Sequence, residues 1–181
     1  DIAVGTPIAG RNHADLEEQI GFFVNTLVLR TDLSGEPTFR ELLGRVREMS
    51  LGAYDHQDLP FEKLVEELQP ERDPSRSPLF QVLFQLLNFS NDDLRLEGLA
   101  VSQAPLGSEL VRFDLEMHLR QRPEKLSGEI VYSTDLFDAS RIARMVGHFL
   151  TLLEGIVAEP RKCIGELPIL TEGERHQLLV E

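Results

Sequence analysis

Two short loops hold the side chains that are the best candidates for binding or catalysis. The first is His56-Gln57-Asp58, and the second spans residues 72–77. Because they bracket one short helical segment, we expect them to lie close together near one edge of a sheet. The plainer interpretation is that Asp58 caps this helix and that the charged groups of the second loop pair with each other or stay solvated. The candidates in the second loop are Arg72, Asp73, Arg76 and Ser77.

The sequence contains no motif for metal binding, hydrolysis or nucleotide phosphate binding. No two of its five histidines have the spacing of metal ligands on one helix, and no serine lies in a Gly-x-Ser-x-Gly elbow. Gly5 and Gly10 have the spacing of a phosphate-binding loop, but the lysine and hydroxyl residue that this motif requires do not follow. His118 and His148 are expected to have surface or packing roles.

An apolar run from Ile20 to Arg30 predicts a central strand that is buried on both faces. Asn25 and Thr26 interrupt this run at adjacent positions. Neighbouring strand residues point to opposite faces, so each of the two polar groups requires its own partner or ligand.

The other elements predict an α/β fold, a two-layer sandwich with a mixed β-sheet. Capping boxes at Thr38 and Glu41 and at Thr171 and Glu174 each open a helix. Clean alternation around 113–120 and 126–132 predicts two half-buried antiparallel strands. The remaining predicted elements are a short helix over 13–19 capped by Asn12, a helix after Asp58, a strand over 79–89, a short strand over 99–103, a long helix capped by Asp138 and an extended linker over 165–170.

Composition limits the partners. The chain has 181 residues and a formal net charge of -13, which disfavours binding to nucleic acid or to an anionic membrane surface. Cys163 is the only cysteine, so no intrachain disulfide is possible, and a reducing cytoplasm fits best. No apolar segment reaches the roughly 20 residues of a membrane helix.

Three segments resemble, in order and spacing, signature motifs of the condensation domains of nonribosomal peptide synthetases. They are Ile20-Gly21-Phe22-Phe23-Val24-Asn25-Thr26, His56-Gln57-Asp58-Leu59-Pro60-Phe61-Glu62 and residues 72–79. The resemblance extends through Phe113-Asp114-Leu115 and residues 132–137, and so covers essentially the whole chain. Ser77 stands where the family usually has asparagine, which puts any role of that amide in doubt because a hydroxyl offers fewer hydrogen bonds.

The resemblance implies one of two chloramphenicol-acetyltransferase-like lobes arranged in a V, with a tunnel between them. Two carrier proteins enter this tunnel with 4'-phosphopantetheine arms, so no cofactor is bound directly by the lobe. The family's His-His-x-x-x-Asp-Gly motif belongs to the N-terminal lobe, and no adjacent histidine pair occurs here. Residues 1–164 are therefore expected to be the C-terminal lobe, inactive alone, and residues 165–181 the start of a linker to an adenylation domain.

The resemblance also implies roles for particular residues. This lobe would supply a tunnel wall, a crossover to the other lobe at 102–112, and a docking surface for the acceptor carrier at Arg141 and Arg144. Partners are then the N-terminal lobe, the donor and acceptor carriers and the downstream adenylation domain. A non-catalytic carrier-docking or gating module and a lobe of an epimerisation or heterocyclisation domain remain alternatives. The expected tunnel or junction residues are Asn25, Thr26, His56, Gln57, Asp58, Arg72, Asp73, Arg76 and Ser77.

Overall fold

The computed structural model describes residues 1–71, 73, 76–87, 98–99, 110–122 and 125–180. Five strands and four α-helices follow one another in this part of the chain. They are β1 (Ile2–Ile8), β2 (Asn25–Thr31), α1 (Phe39–Asp55), α2 (Phe61–Leu68), β3 (Val82–Leu87), β4 (Leu115–Arg122), β5 (Lys125–Tyr132), α3 (Ala139–Ala158) and α4 (Glu172–Val180), with short 3-10 helices at Ala14–Leu16 and Ile164–Glu166.

The strands form one mixed sheet in the order β2-β1-β3-β4-β5. Strand β1 is antiparallel to β2, and β4 is antiparallel to β5, whereas β3 runs parallel to both of its neighbours. Helices α1 and α2 pack near β2. The predicted α/β fold with a mixed sheet is confirmed. Strands β1 and β3 are paired only at Gly5, which lies opposite Leu83.

Phe80 lies at the centre of the core, directly before β3, and is only 1% exposed. Its ring makes an edge contact with Phe61 of α2 at 5.8 Å between centroids, and a tilted contact with Phe113 before β4 at 4.9 Å. A Cβ atom on Gly5 would lie 2.1 Å from this ring. From its position before β3, this one aromatic side chain therefore contacts α2, β1 and the segment before β4. Strand β1 can pass over the ring only because residue 5 has no side chain.

The prediction of a central strand from residue 20 is wrong. Strand β2 begins only at Asn25, because its partner β1 ends at the opposite residue, Ile8. Strand β2 also lies at the edge of the sheet and not at its centre. Residues 20–24 belong instead to the connection between the two strands, where the Arg11 guanidinium lies 4.4 Å from the centre of the Phe23 ring. Ile20 and Phe22 are almost fully exposed, so this apolar run is not covered within the described chain.

Two predicted helix caps are also wrong, for a common reason. The amide Nδ2 of Asn12 donates to Oδ1 of Asp58 at 2.9 Å, so each side chain binds the other instead of a helix end. The helix after Asn12 is only a 3-10 turn with His13 at its N-cap, and α2 begins after Pro60. Asp138 does occupy the N-cap of α3, but its side chain makes no capping hydrogen bond.

Both predicted capping boxes are present. The hydroxyl and backbone N–H of Thr38 donate to Glu41, and those of Thr171 donate to Glu174, while each glutamate N–H returns a bond to the threonine. Glu174 also lies 2.9 Å from Nε2 of His148, which ties α4 to α3. In the stretch between these helices Leu167 is buried and Pro168 packs beside Gly155.

None of the described helices is long and apolar enough to cross a membrane. The strand predicted at 99–103 lies outside the described residues beyond Leu99, as does the predicted crossover at 102–112 except for its last three residues.

The close approach of Gly5 to Phe80 predicts the effect of a single methyl group. We expect Gly5→Ala to lower the free energy of unfolding by about 2 kcal/mol, because the new Cβ overlaps the ring and β1 must shift. Urea unfolding measures this loss. The matched control is Gly44→Ala in α1, where a Cβ meets no atom within 4 Å and helix propensity raises stability by up to about 1 kcal/mol. Equal stability of the two variants would contradict the packing argument.

The contact between α3 and α4 predicts a pH dependence. Hydrogen bonds from the hydroxyl and then the N–H of Thr171, with a further contribution from His148, lower the pKa of Glu174 from 4.5 to about 2. The folded pKa lies below the unfolded one, so this stabilisation is complete above about pH 4.5 and is lost as pH falls towards 2. We expect Glu174→Gln to reduce amide protection in α4 at pH 7 and to have little effect near pH 2. Glu172→Gln, in the same helical turn, is the control, and equal effects of the two variants would count against the prediction.

Candidate functional site

An open cavity of about 790 Å³ lies where β1 ends and β2 begins. One wall comes from the start of β2 and from the segments around α2, and the other from the middle of β3 and β4. Both walls carry polar and aromatic side chains. The polar and charged residues that line it are Asn25, Thr26, Gln57, Asp58, Glu62, Gln85, Arg112 and His118.

The side chain of Asn25 joins β2 to the segment that precedes α2. Its Nδ2 donates to the carbonyl oxygens of Gln57 at 2.9 Å and of Leu59 at 2.8 Å. Its Oδ1 accepts from the backbone N–H of Phe61, the first residue of α2, at 3.1 Å. That N–H has no partner within its own helix, so Asn25 supplies the cap that Asp58 was predicted to provide. The amide therefore uses both of its donor hydrogens on the fold, and its oxygen also has a partner.

The first polar loop lies at the cavity. Gln57 and Asp58 line it, and the bond from Asn12 to Asp58 closes the loop onto the connection between β1 and β2. Thr26 also lines the cavity. His56 is exposed and is not among the lining residues. The fold thus brings together four of the predicted site residues: Asn25, Thr26, Gln57 and Asp58.

The second polar loop does not reach the cavity in the part of the chain that the structure describes. Asp73 and Arg76 pair with each other at 2.7 Å, and this hydrogen bond raises the pKa of the Arg76 guanidinium. The backbone carbonyl of Ser77 accepts from Gln81 at 3.0 Å. Arg72 lies outside the described residues. The loop leads into Phe80, whose ring contacts Phe61 and Phe113, and both of these residues line the cavity.

A second polar cluster lies on the facing wall, where the sequence predicted a solvated strand face. Glu116 is only 4% exposed, and its carboxylate accepts from the backbone N–H of Arg112 at 3.2 Å. His118 lies between Glu116, 3.3 Å from Nε2, and Oε1 of Gln85, 3.2 Å from Nδ1. Strict alternation made Glu116 and His118 look exposed. The available signal was Gln85, a polar residue within the apolar strand that precedes them.

The polar side chains that line the cavity can donate and accept hydrogen bonds. No group of three or more histidine, cysteine or acidic side chains that could hold a metal ion occurs among the described residues. Arg141 and Arg144 lie apart from the cavity, exposed near the start of α3.

Comparison with known proteins gives consistent results. The Condensation domain family model matches residues 1–179. A linear gramicidin synthase protein of Brevibacillus parabrevis is 52% identical over 181 residues, which cover 99% of this chain and 2% of that protein. The chain therefore corresponds to a small part of the length of this relative.

Solved structures share the fold. The X-domain from teicoplanin biosynthesis, in its complex with OxyB, is 34% identical with a TM-score of 0.83, and the match covers 94% of this chain and 38% of that one. The four-domain nonribosomal peptide synthetase AB3403, bound to AMP and glycine, is 29% identical with a TM-score of 0.80 over 96% of this chain and 14% of that one.

The three hydrogen bonds of Asn25 predict the effect of replacing its amide. Asn25→Asp keeps an acceptor for Phe61 but sets a carboxylate against two carbonyl oxygens, so we expect a loss of about 2 kcal/mol in the free energy of unfolding at pH 7. Urea unfolding measures it. Thr26→Ser, at the adjacent lining position, is the control and should change stability by less than about 0.5 kcal/mol. An Asn25→Asp variant as stable as this control would rule out the structural role of the amide.

Proposed function

Because the chain belongs to the condensation-domain family, we propose that it forms the C-terminal lobe of a domain that joins two carrier-bound substrates through a peptide bond. The substrates are an aminoacyl or peptidyl thioester and an amine. In this proposal the lobe supplies one tunnel wall, a lobe crossover and a docking surface for the acceptor carrier, and the catalytic histidine motif lies outside these 181 residues.

The observation that carries the proposal is the cavity itself. Two of the three segments that resemble family motifs converge on it, and Asn25 binds one to the other through its amide. A volume of about 790 Å³ that is open to solvent suits a substrate that reaches it on a long flexible arm, such as a 4'-phosphopantetheine group. The arm belongs to the carrier protein, so the lobe itself is proposed to bind no cofactor of its own.

Exposed apolar side chains near the cavity support a junction with a second lobe. Ile20 is fully exposed, Phe22 is 91% exposed and Val24 is 48% exposed. Phe22 and Val24 also line the cavity, and large apolar side chains are costly to leave in water. The N-terminal lobe of the same domain is the proposed partner for this surface.

Arg141 and Arg144 are the proposed contact for the acceptor carrier. Both are exposed on α3, and neither makes an ion pair with the described part of the chain. Two exposed cations on a chain of net charge -13 offer a local attraction for an acidic partner. The proposed linker at 165–181 would then lead to an adenylation domain.

A second candidate function is a non-catalytic docking module. The observation that favours it is the 34% identity to an X-domain whose structure was solved in complex with OxyB. Such a module would hold a partner protein on its surface without reacting.

The test combines this chain with a separately expressed N-terminal lobe and two loaded carrier proteins. We expect the peptide bond to form only in the mixture, because neither lobe alone holds both walls of the tunnel, and mass spectrometry of the carrier-bound product detects it. Binding of the acceptor carrier is measured in parallel for the parent chain, for the double variant Arg141→Glu, Arg144→Glu and for Arg47→Glu, a control on the exposed face of α1.

The outcomes separate the two candidates. Product from the mixture, with acceptor binding weakened at least tenfold by the double variant and unchanged by the control, supports the condensation lobe and its docking surface. Carrier binding without product in the mixture supports the docking module. Product with no change in binding for the double variant would remove Arg141 and Arg144 from the docking surface.

A further inference from the structure

The outer edge of β5 presents backbone groups that β4 does not use. Strand β5 lies at one end of the sheet and pairs with β4 alone among the described strands. Directly after it, the N–H of Ser133 donates to the carbonyl oxygen of Asp114 at 3.0 Å. Backbone bonds alternate in direction along a strand, so the odd-numbered residues of β5 bond to β4. The even-numbered residues Leu126, Gly128 and Ile130 therefore point their N–H and C=O groups outward.

Two charges of opposite sign lie along this edge. Lys125 and Glu129 are both exposed, share the sheet face of His118, and have Ser127 midway between them. Charged side chains usually discourage a free strand edge from pairing. Opposite charges placed symmetrically about one residue have the reverse effect, because an antiparallel second copy brings each lysine opposite the glutamate of the other. The edge is thus complementary in charge to itself.

The charges favour one register over its neighbours. Residues directly opposite each other in an antiparallel pair share a face, so a two-fold axis through Ser127 matches both charges. An axis through Glu129 would set two glutamates opposite each other, and an axis through Gly128 would set Lys125 opposite an uncharged residue. With Ser127 at the centre, the outward groups of Leu126 in each copy exchange hydrogen bonds with those of Gly128 in the other.

The opposite face of the same edge carries an apolar hollow of about 510 Å³. Its lining residues are Phe84, Leu86, Leu119, Gln121, Lys125 and Leu126. Leu86 is 47% exposed and Leu126 is 55% exposed. Gly128 lies opposite Leu119 on β4 and leaves its side chain uncovered, since a Cβ on Gly128 would lie 2.8 Å from Cδ2 of Leu119. In the pairing centred on Ser127, Leu126 of the second copy lies opposite Gly128 and so covers Leu119.

We propose that the outer edge of β5 is an interface between two copies of this chain, which pair antiparallel about Ser127 into one continuous sheet. Backbone hydrogen bonds supply the attraction, and the pairs between Lys125 and Glu129 set the register. Because both copies use the same surface, the contact closes at two copies. It is one strand wide, which places it among weak and reversible interfaces. The inference needs only the edge of the sheet and does not depend on the proposed function.

The test is sedimentation equilibrium of the chain at up to about 1 mM and at an ionic strength of about 0.15 M, which screens the repulsion between two acidic chains. We expect a reversible monomer–dimer equilibrium. Lys125→Glu and Glu129→Lys each set like charges opposite one another, so each should raise the dissociation constant about tenfold. An equimolar mixture of the two variants should recover the parent value, because positions 125 and 129 again carry opposite charges across the interface. Arg161→Glu, the same change of charge at an exposed position after α3, is the control and should have no effect.

Amide hydrogen exchange tests the same interface without a substitution. The N–H groups of Leu126 and Gly128 should gain protection as the concentration of the chain rises, whereas that of Ser127, which bonds to β4, should be protected throughout. A chain that stays monomeric at every concentration would overturn the inference. So would association that both charge variants leave intact, or protection that rises elsewhere and not at Leu126 and Gly128, because each result would place the contact on another surface.

Discussion

The amide of Asn25 is the interaction on which the cavity wall depends. It binds two carbonyl oxygens of the segment between α1 and α2, and it accepts from the first N–H of α2. All three partners are backbone groups, so the side chain fixes the backbone of the segment that leads into α2. Only an amide can supply two donors and an acceptor at one point, which explains why neither a hydroxyl nor a carboxylate would serve. The site is thus shaped by a residue whose own hydrogen-bonding capacity is taken up by the fold.

The two walls of the cavity satisfy their polar groups by different means. On the β2 side the partners are backbone atoms, and the result is a fixed shape. On the β3–β4 side the partners of His118 are the side chains of Glu116 and Gln85, which can change orientation without moving the backbone. A side-chain network of this kind keeps a titratable group partly buried without leaving any atom unpaired. The β2 wall therefore has a fixed shape, whereas side chains on the β3–β4 wall can reorient around a ligand.

Sequence reasoning succeeded where both partners of an interaction lie close together in the chain. The Thr38 and Glu41 box was predictable because its groups are three residues apart. Asn12 and Asp58 were misassigned as helix caps because the partner of each is 46 residues away, beyond any local pattern. The apolar run before Asn25 was misread as a buried strand because a continuous apolar run indicates that a segment needs a cover, not which element covers it. Glu116 was missed because its donors come from loop backbone and a neighbouring side chain, which no alternation pattern reports.

The single paired position between β1 and β3 has a mechanical consequence. Backbone hydrogen bonds are what resist sliding between strands, so the sheet is most compliant along the line where Gly5 meets Leu83. Asn25 lies on the β1–β2 side of this line, and His118 lies on the side of β3, β4 and β5. A change in the width of the cavity is thus opposed by fewer backbone hydrogen bonds than a displacement between other neighbouring strands. A molecule bound to both walls would link the two halves of the sheet. It would thereby restrict sliding between β1 and β3, where the backbone contributes least.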